Sequence, residues 1–147
     1  MFKKFVNLTS IVVVIFMIGN CTTNMLLNLT PEEQAFLNKA NAFPLEFIVS
    51  NEDAEMAWGR AQSFIGRFSS MRLQTITDYV IQTYNPSSSG VAYAYYVTKT
   101  PLGDSTQFNV TCNTGNLFAM ADAQSNAHIL AYFMNTGELA NPKVIKK

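Results

Sequence analysis

VAYAYYVTKTPLGDSTQFNVTCN, residues 91–113, contains two segments rich in β-branched and aromatic residues, separated by a short turn. Residues 91–99 and 105–113 therefore predict two β-strands, because such side chains fit a pleated, half-buried surface. Pro101 and Gly103, between them, are residues that turns favour. A connection this short joins antiparallel neighbours, so the stretch predicts a β-hairpin within an antiparallel sheet.

Further strands are predicted on both sides of this hairpin. Residues 72–84 have a similar composition, and the loop Asn-Pro-Ser-Ser-Ser-Gly connects them to the hairpin, so three consecutive strands form a meander. Apolar residues also occupy every second position from 43 to 49, which predicts a strand over 43–50. Pro44, near its start, favours an edge of the same sheet.

Three helices are predicted around these strands. Thr30 and Glu33 form a capping box around Pro31, which begins a short helix. A second helix follows Ser50, and its apolar residues occupy one arc of the helical wheel. That arc contains Ala54, Ala57, Trp58, Ala61, Phe64, Ile65 and Phe68. A third helix is predicted over 121–135.

The order of these elements predicts the fold class α+β. An antiparallel sheet of about four strands, a meander plus an edge strand, packs against two or three helices. This single domain spans residues 30–137, because Gly137 is a typical helix stop. Residues 138–147 are predicted to form a loose C-terminal tail.

Composition limits the classes of function. Hydrophobic residues make up 48% of the 147 residues and charged residues 14%, which indicates a folded core. Without the first 20 residues, the chain has eight Lys and Arg and ten Asp and Glu, which gives a net charge of −2. Nucleic-acid binding depends on clustered Lys and Arg, so no nucleic-acid partner is expected.

The first 20 residues have the order of an export signal. Lys3 and Lys4 precede the apolar run at 11–18, and Gly19-Asn20-Cys21 follows. Counted from residue 5 to residue 19, the segment is shorter than the roughly 20 residues that a membrane-spanning helix needs. Residues 1–20 are therefore predicted to be a signal peptide, with an uncleaved membrane anchor as the alternative.

Ile18-Gly19-Asn20-Cys21 resembles a lipobox, the signal that directs lipid to a bacterial cysteine. Asn20 departs from the usual Gly, Ala or Ser, as in the relaxed lipobox of spirochaetal lipoproteins. The resemblance implies lipid attachment at Cys21, cleavage before it, and a bacterial cell-envelope protein, delivered to the outer membrane because no Asp follows. Residues 21–29 would then form a lipid-anchored tether that holds the domain near the membrane.

Cys112 has no partner if Cys21 carries lipid. An unpaired thiol in an exported protein can be reactive, but Phe108, Val110 and Cys112 share one face of their strand. We therefore expect a buried structural thiol. A disulfide between Cys21 and Cys112 is the rival interpretation if Cys21 carries no lipid.

Other chemistry has little support in the sequence. His128 is the single histidine, and no carboxylate lies three or four residues from it. One His and one free Cys cannot form a common zinc site, and no phosphate-binding motif indicates a cofactor. Tyr93 and Tyr95 share one strand face, where two phenols either line a small pocket or belong to the core.

Three hypotheses remain from the sequence. The first is a non-enzymatic lipoprotein that presents a small binding domain at a membrane surface, for a protein, peptide or small apolar ligand. The second is an envelope enzyme that uses His128 or Cys112. The third is a structural envelope lipoprotein without a specific ligand.

Overall fold

The fold is α+β, as predicted. The computed structural model describes residues 29–87, 91–139 and 141–146. Its helices are α1 (Pro31–Ala42), α2 (Asn51–Phe68) and α3 (Met120–Thr136). Its strands are β1 (Glu46–Ser50), β2 (Leu73–Ile76), β3 (Val80–Thr83), β4 (Ala94–Pro101) and β5 (Ser105–Asn113). They form one antiparallel sheet in the order β1-β5-β4-β3-β2.

The predicted hairpin of residues 91–113 lies at the centre of this sheet. Strand β4 pairs with β5 along its whole length, from Ala94 opposite Asn113 to Pro101 opposite Thr106. Between them, the Leu102 N–H donates to the Ser105 carbonyl at 2.8 Å. Gly103 adopts φ +73°, in the left-handed region that glycine occupies without strain. The β4–β5 pairing that the turn residues predicted is confirmed.

The sheet has five strands because residues 72–84 form two strands instead of one. A turn at Thr77 separates them, where the Thr77 hydroxyl accepts the N–H groups of Tyr79 and Val80 at 3.2 and 2.9 Å. The chain then reverses, and β2 pairs with β3. This turn has neither Gly nor Pro, so the sequence prediction of one continuous strand was wrong.

One face of the sheet is covered by the three helices, and the core lies between them. Strand β5 alternates buried and half-buried residues, with Phe108, Val110 and Cys112 facing the helices. The apolar arc predicted for α2 is buried in full, and the Trp58 ring stacks on Phe108 with centroids 6.1 Å apart. The Ser50 hydroxyl caps α2, since it accepts the Asp53 N–H at 3.2 Å.

Helix α1 runs antiparallel to α3. Near the end of α1, the Asn41 side chain accepts a hydrogen bond from Ser125 at 3.1 Å, close to the start of α3. Phe36, earlier in α1, meets the Tyr132 ring near the end of α3, with centroids 5.7 Å apart. The N-terminus of α1 therefore lies beside the C-terminus of α3.

The domain consequently has two distinct ends. The Asp104 end contains the β4–β5 turn and the N-terminus of α2, where the Asn51 amide donates to the Gly103 carbonyl at 2.7 Å. The C-terminus of α3 also lies at that end, because Arg60 of α2 donates to the Met134 carbonyl at 3.0 Å. The opposite, Phe118 end contains the C-termini of α2 and β5 and the N-terminus of α3.

The segment after α3 packs on the domain, so the prediction of a loose tail is corrected for residues 141–146. Val144 and Ile145 are buried among the core residues. Asn126, a buried residue of α3, exchanges two hydrogen bonds with the Lys146 backbone, at 3.0 and 3.1 Å. Because buried amides need partners, this paired contact fixes the segment against α3.

Candidate functional site

Cys112 is a free thiol buried in strand β5, as the alternation of that strand predicted. Burial raises its pKa from 9.0 to about 12, and the neighbouring Tyr95 hydroxyl opposes part of that increase. The thiolate is the nucleophilic form of cysteine, so a thiol with this pKa is unreactive near neutral pH. The expected burial of the Cys112 thiol is confirmed.

Tyr93 and Tyr95 are core residues, with 2% and 1% of their surfaces exposed. The Tyr93 hydroxyl donates to the Asp122 carboxylate at 3.4 Å. Burial and the negative charge of Asp122 raise the pKa of Tyr93 to about 12. Phe64 packs edge-on against the Tyr95 ring, with centroids 5.9 Å apart, so the ring is enclosed by the core.

The Tyr95 hydroxyl differs from that of Tyr93 because it is buried and has no hydrogen-bond partner in the described part of the chain. Its cross-strand neighbour in the register is Cys112. Burial, the Cys112 thiol and Tyr93 all raise the pKa of Tyr95. The hydroxyl is therefore neutral across the physiological range.

His128 lies in a shallow depression between α1 and α3, with a volume of about 250 Å³. Asn41, Gln124 and Ser125 also line it, together with Ala121. The Nδ1 atom of His128 is 2.7 Å from the Phe43 carbonyl oxygen, which can only accept, so Nδ1 donates. In the neutral ring, Nε2 is then an acceptor, and the residue joins α3 to the chain after α1.

The sequence candidates are therefore placed in different parts of the molecule. Cys112 lies inside the core on β5, whereas His128 lies between two helices and bonds to a backbone carbonyl. Within the described ranges, no group of three His, Cys, Asp or Glu residues is arranged to hold a metal ion. The predicted signal peptide, Cys21 and most of the tether lie outside these ranges.

The surface feature that sequence reasoning missed is an apolar turn at residues 117–120, which follows β5 and includes Met120, the first residue of α3. Phe118 is 100% exposed, Leu117 81% and Met120 59%, whereas Ala119 between them is buried. In the sequence, the same residues resemble the first turn of an amphipathic helix. Periodicity does not reveal that Ala119 faces the core while its neighbours face solvent.

Hydrogen bonds hold this apolar turn in one conformation. The Asn116 side chain accepts the Phe118 N–H at 2.9 Å, and the Asn116 carbonyl accepts the Ala119 N–H at 3.0 Å. The Thr114 hydroxyl accepts the Asn116 N–H at 3.3 Å. The exposed Leu117 and Phe118 side chains are thus presented by an ordered backbone.

Comparison of the chain with protein-family models, curated proteins and solved structures finds no match. The fold and its surface define the class instead: an α+β protein with one five-stranded antiparallel sheet, one helix-covered face and an apolar turn at one end. Among the described helices, none is long and apolar enough to cross a membrane.

Proposed function

We propose that this protein is a bacterial cell-envelope lipoprotein, anchored by lipid on Cys21, and that its folded domain is a non-enzymatic binding module at the membrane surface. The observation that carries the proposal is the position of Cys21 directly after a basic and then apolar leader. Two or three acyl chains on one residue hold a protein on a bilayer far more firmly than a single chain does.

The burial of Cys112 supports lipid attachment at Cys21. Cys112 is 8% exposed and packed with the core, so Cys21 would have to enter the core to form a disulfide with it. The two thiols therefore have separate roles in the proposal: Cys21 carries lipid, and Cys112 fills space in the core.

The separation of His128 from Cys112 supports binding over catalysis. A cysteine nucleophile needs a base within hydrogen-bond reach, and a histidine base needs a third group that orients it toward its target. The Phe43 carbonyl does orient the His128 ring, but His128 lies between α1 and α3, and the group beside the Cys112 thiol is the Tyr95 phenol. No other histidine occurs in the sequence.

The test is mass spectrometry of the native N-terminus after detergent extraction, together with incorporation of an alkyne fatty acid. The matched variants are Cys21→Ala and Cys112→Ala, since these are the two cysteines of the chain. We expect an acylated N-terminal cysteine in the natural protein and in Cys112→Ala, and no label in Cys21→Ala. An unmodified Met1, or equal labelling of both variants, would refute the lipoprotein proposal.

Rapid alkylation separates the enzymatic alternative from binding. We expect Cys112 in the folded protein to resist iodoacetamide at neutral pH and to react after unfolding, because its thiol is buried and protonated. Fast modification of the folded protein would favour the enzyme hypothesis instead.

A further inference from the structure

The two ends of the domain differ in charge, whereas exposed apolar side chains such as Tyr79 and Leu102 also occur at the Asp104 end. The Asp104 end is acidic, because its turns and the first turns of α2 carry five exposed carboxylates. The cations near them are Lys99 of β4, which pairs with Glu55, and the half-buried Arg60 of α2. The five are Glu52, Asp53, Glu55, Asp78 and Asp104. An anionic surface would repel this end of the molecule.

The Phe118 end combines cations with exposed apolar side chains. Arg67 and Arg72 are exposed there, and the carboxylate of Asp122 is engaged by the Tyr93 hydroxyl. Six of the large exposed apolar side chains lie at this end, in the turn 117–120 and at adjoining strand ends. They are Leu73, Tyr84, Val91, Leu117, Phe118 and Met120.

We propose that the Phe118 end docks on an anionic lipid bilayer, with Leu117, Phe118 and Met120 among the acyl chains and Arg67 and Arg72 near the headgroups. This inference rests on the proposed lipid anchor, which brings the domain to the membrane. Apolar side chains that enter the acyl boundary and cations that meet anionic lipids add to each other, as in amphipathic membrane-binding elements.

The shape of the turn favours a bilayer over a protein groove. The Phe118 side chain is 100% exposed and its neighbour Leu117 is 81% exposed, so a protein would need a deep matching pocket to bury them. Fluid acyl chains can surround a protruding side chain on all sides. The backbone hydrogen bonds of Asn116 keep the turn ordered, so insertion would require little further ordering of the chain.

The tether is long enough for this orientation. Thr30 lies near the C-terminus of α3, and the 17 residues of α3 span about 25 Å to the Phe118 end. Because Leu29 packs against the core, the free tether is residues 21–28, which can reach about 27 Å when extended. Cys21 can therefore remain in the same bilayer that the Phe118 end contacts.

The experiment places a fluorescent probe at the turn in the full-length, lipidated protein. Phe118→Trp reports on the proposed docking turn, and Leu102→Trp is the matched control in the β4–β5 turn, where Leu102 is 46% exposed. Trp58 is 5% exposed and gives a constant buried background. Both variants are reconstituted into vesicles of phosphatidylcholine with phosphatidylglycerol.

We expect the probe at position 118 to shift its emission to shorter wavelength and to be quenched by brominated acyl chains. The probe at position 102 should respond to aqueous iodide instead. Arg72→Gln in the Phe118→Trp background, or vesicles of phosphatidylcholine alone, should reduce the lipid quenching.

Two different failures are distinguishable. If the protein does not float with the vesicles at all, the proposed lipid anchor is wrong. If it floats with them but the probe at position 118 is quenched by iodide as readily as the probe at 102, the anchor stands and the docking inference is wrong. In that second case the turn faces water and remains available to a protein partner.

Discussion

Replacing Tyr95 with phenylalanine is expected to stabilise the domain. The Tyr95 hydroxyl is buried in the core without a hydrogen-bond partner among the residues described, so folding removes it from water without compensation. Tyr93 is the matched comparison: it lies two residues away on the same face and is equally buried, but its hydroxyl donates to Asp122. Tyr93→Phe should therefore change stability in the opposite direction.

The magnitudes follow from the two hydroxyl environments. A buried polar group without a partner costs about 1–3 kcal/mol of stability. The phenyl ring of the Tyr95→Phe variant would keep the edge contact with Phe64, so we expect this substitution to raise the free energy of unfolding by about 1 kcal/mol. The bond from Tyr93 to Asp122 is long, at 3.4 Å, so its loss should cost about 0.5–1 kcal/mol. A change of about 1 kcal/mol corresponds to a Tm shift of about 4 °C in a domain of this size.

Urea unfolding followed by circular dichroism measures both free energies at pH 7. Addition of Cys112→Ala to Tyr95→Phe closes a double-mutant cycle, which measures any coupling between the hydroxyl and the thiol. A loss of stability in Tyr95→Phe as large as that in Tyr93→Phe would contradict the reasoning. It would mean that the Tyr95 hydroxyl makes a hydrogen bond in the folded protein. A large coupling energy between Tyr95→Phe and Cys112→Ala would identify the Cys112 sulfur as the partner in that bond.

Three other predictions concern stability. Asn126→Ala should cost about 2–3 kcal/mol in urea unfolding, because two buried hydrogen bonds are lost, whereas the exposed Gln124→Ala should be nearly neutral. Gly137→Ala should lower the Tm by several degrees, because Gly137 has φ +76° and a Cβ there would lie 2.8 Å from the Arg60 guanidinium. An unchanged Tm would mean that the Arg60 side chain moves aside. The contribution of Cys112 to the free energy of unfolding should be constant up to about pH 9 and then fall by about 1.4 kcal/mol per pH unit toward pH 12, because the thiol ionises at lower pH in the unfolded chain than in the folded one. Unfolding is compared at about pH 8 and about pH 10, and Cys112→Ala should lack this loss.

The sequence predicted the elements whose local signals agree with their tertiary environment. Strand β5 was predicted at its observed bounds because alternation and turn residues coincide there. Helix α2 was predicted with its full buried face, because Ser50 marks the start and the apolar arc is wide.

The elements that the sequence did not predict depend on contacts between distant residues or on single side chains. The turn at Thr77 is formed by one side-chain hydroxyl, which leaves no Gly or Pro signal. The segment that contains the buried Val144 and Ile145 is hydrogen-bonded to Asn126, which lies 20 residues before Lys146. Phe118 is fully exposed while the adjacent Ala119 is buried, and this difference cannot be read from periodicity.

The paired contact of Asn126 with the Lys146 backbone affects the order in which the domain can fold during synthesis. Until residues 141–146 have left the ribosome, the buried Asn126 amide of α3 lacks its hydrogen-bond partner, and the core lacks the side chains of Val144 and Ile145. Nascent chains that lack it should remain incompletely packed and sensitive to protease. For the exported protein proposed above, such a delay would keep the polypeptide unfolded while it passes through any secretion channel that is too narrow for a folded domain.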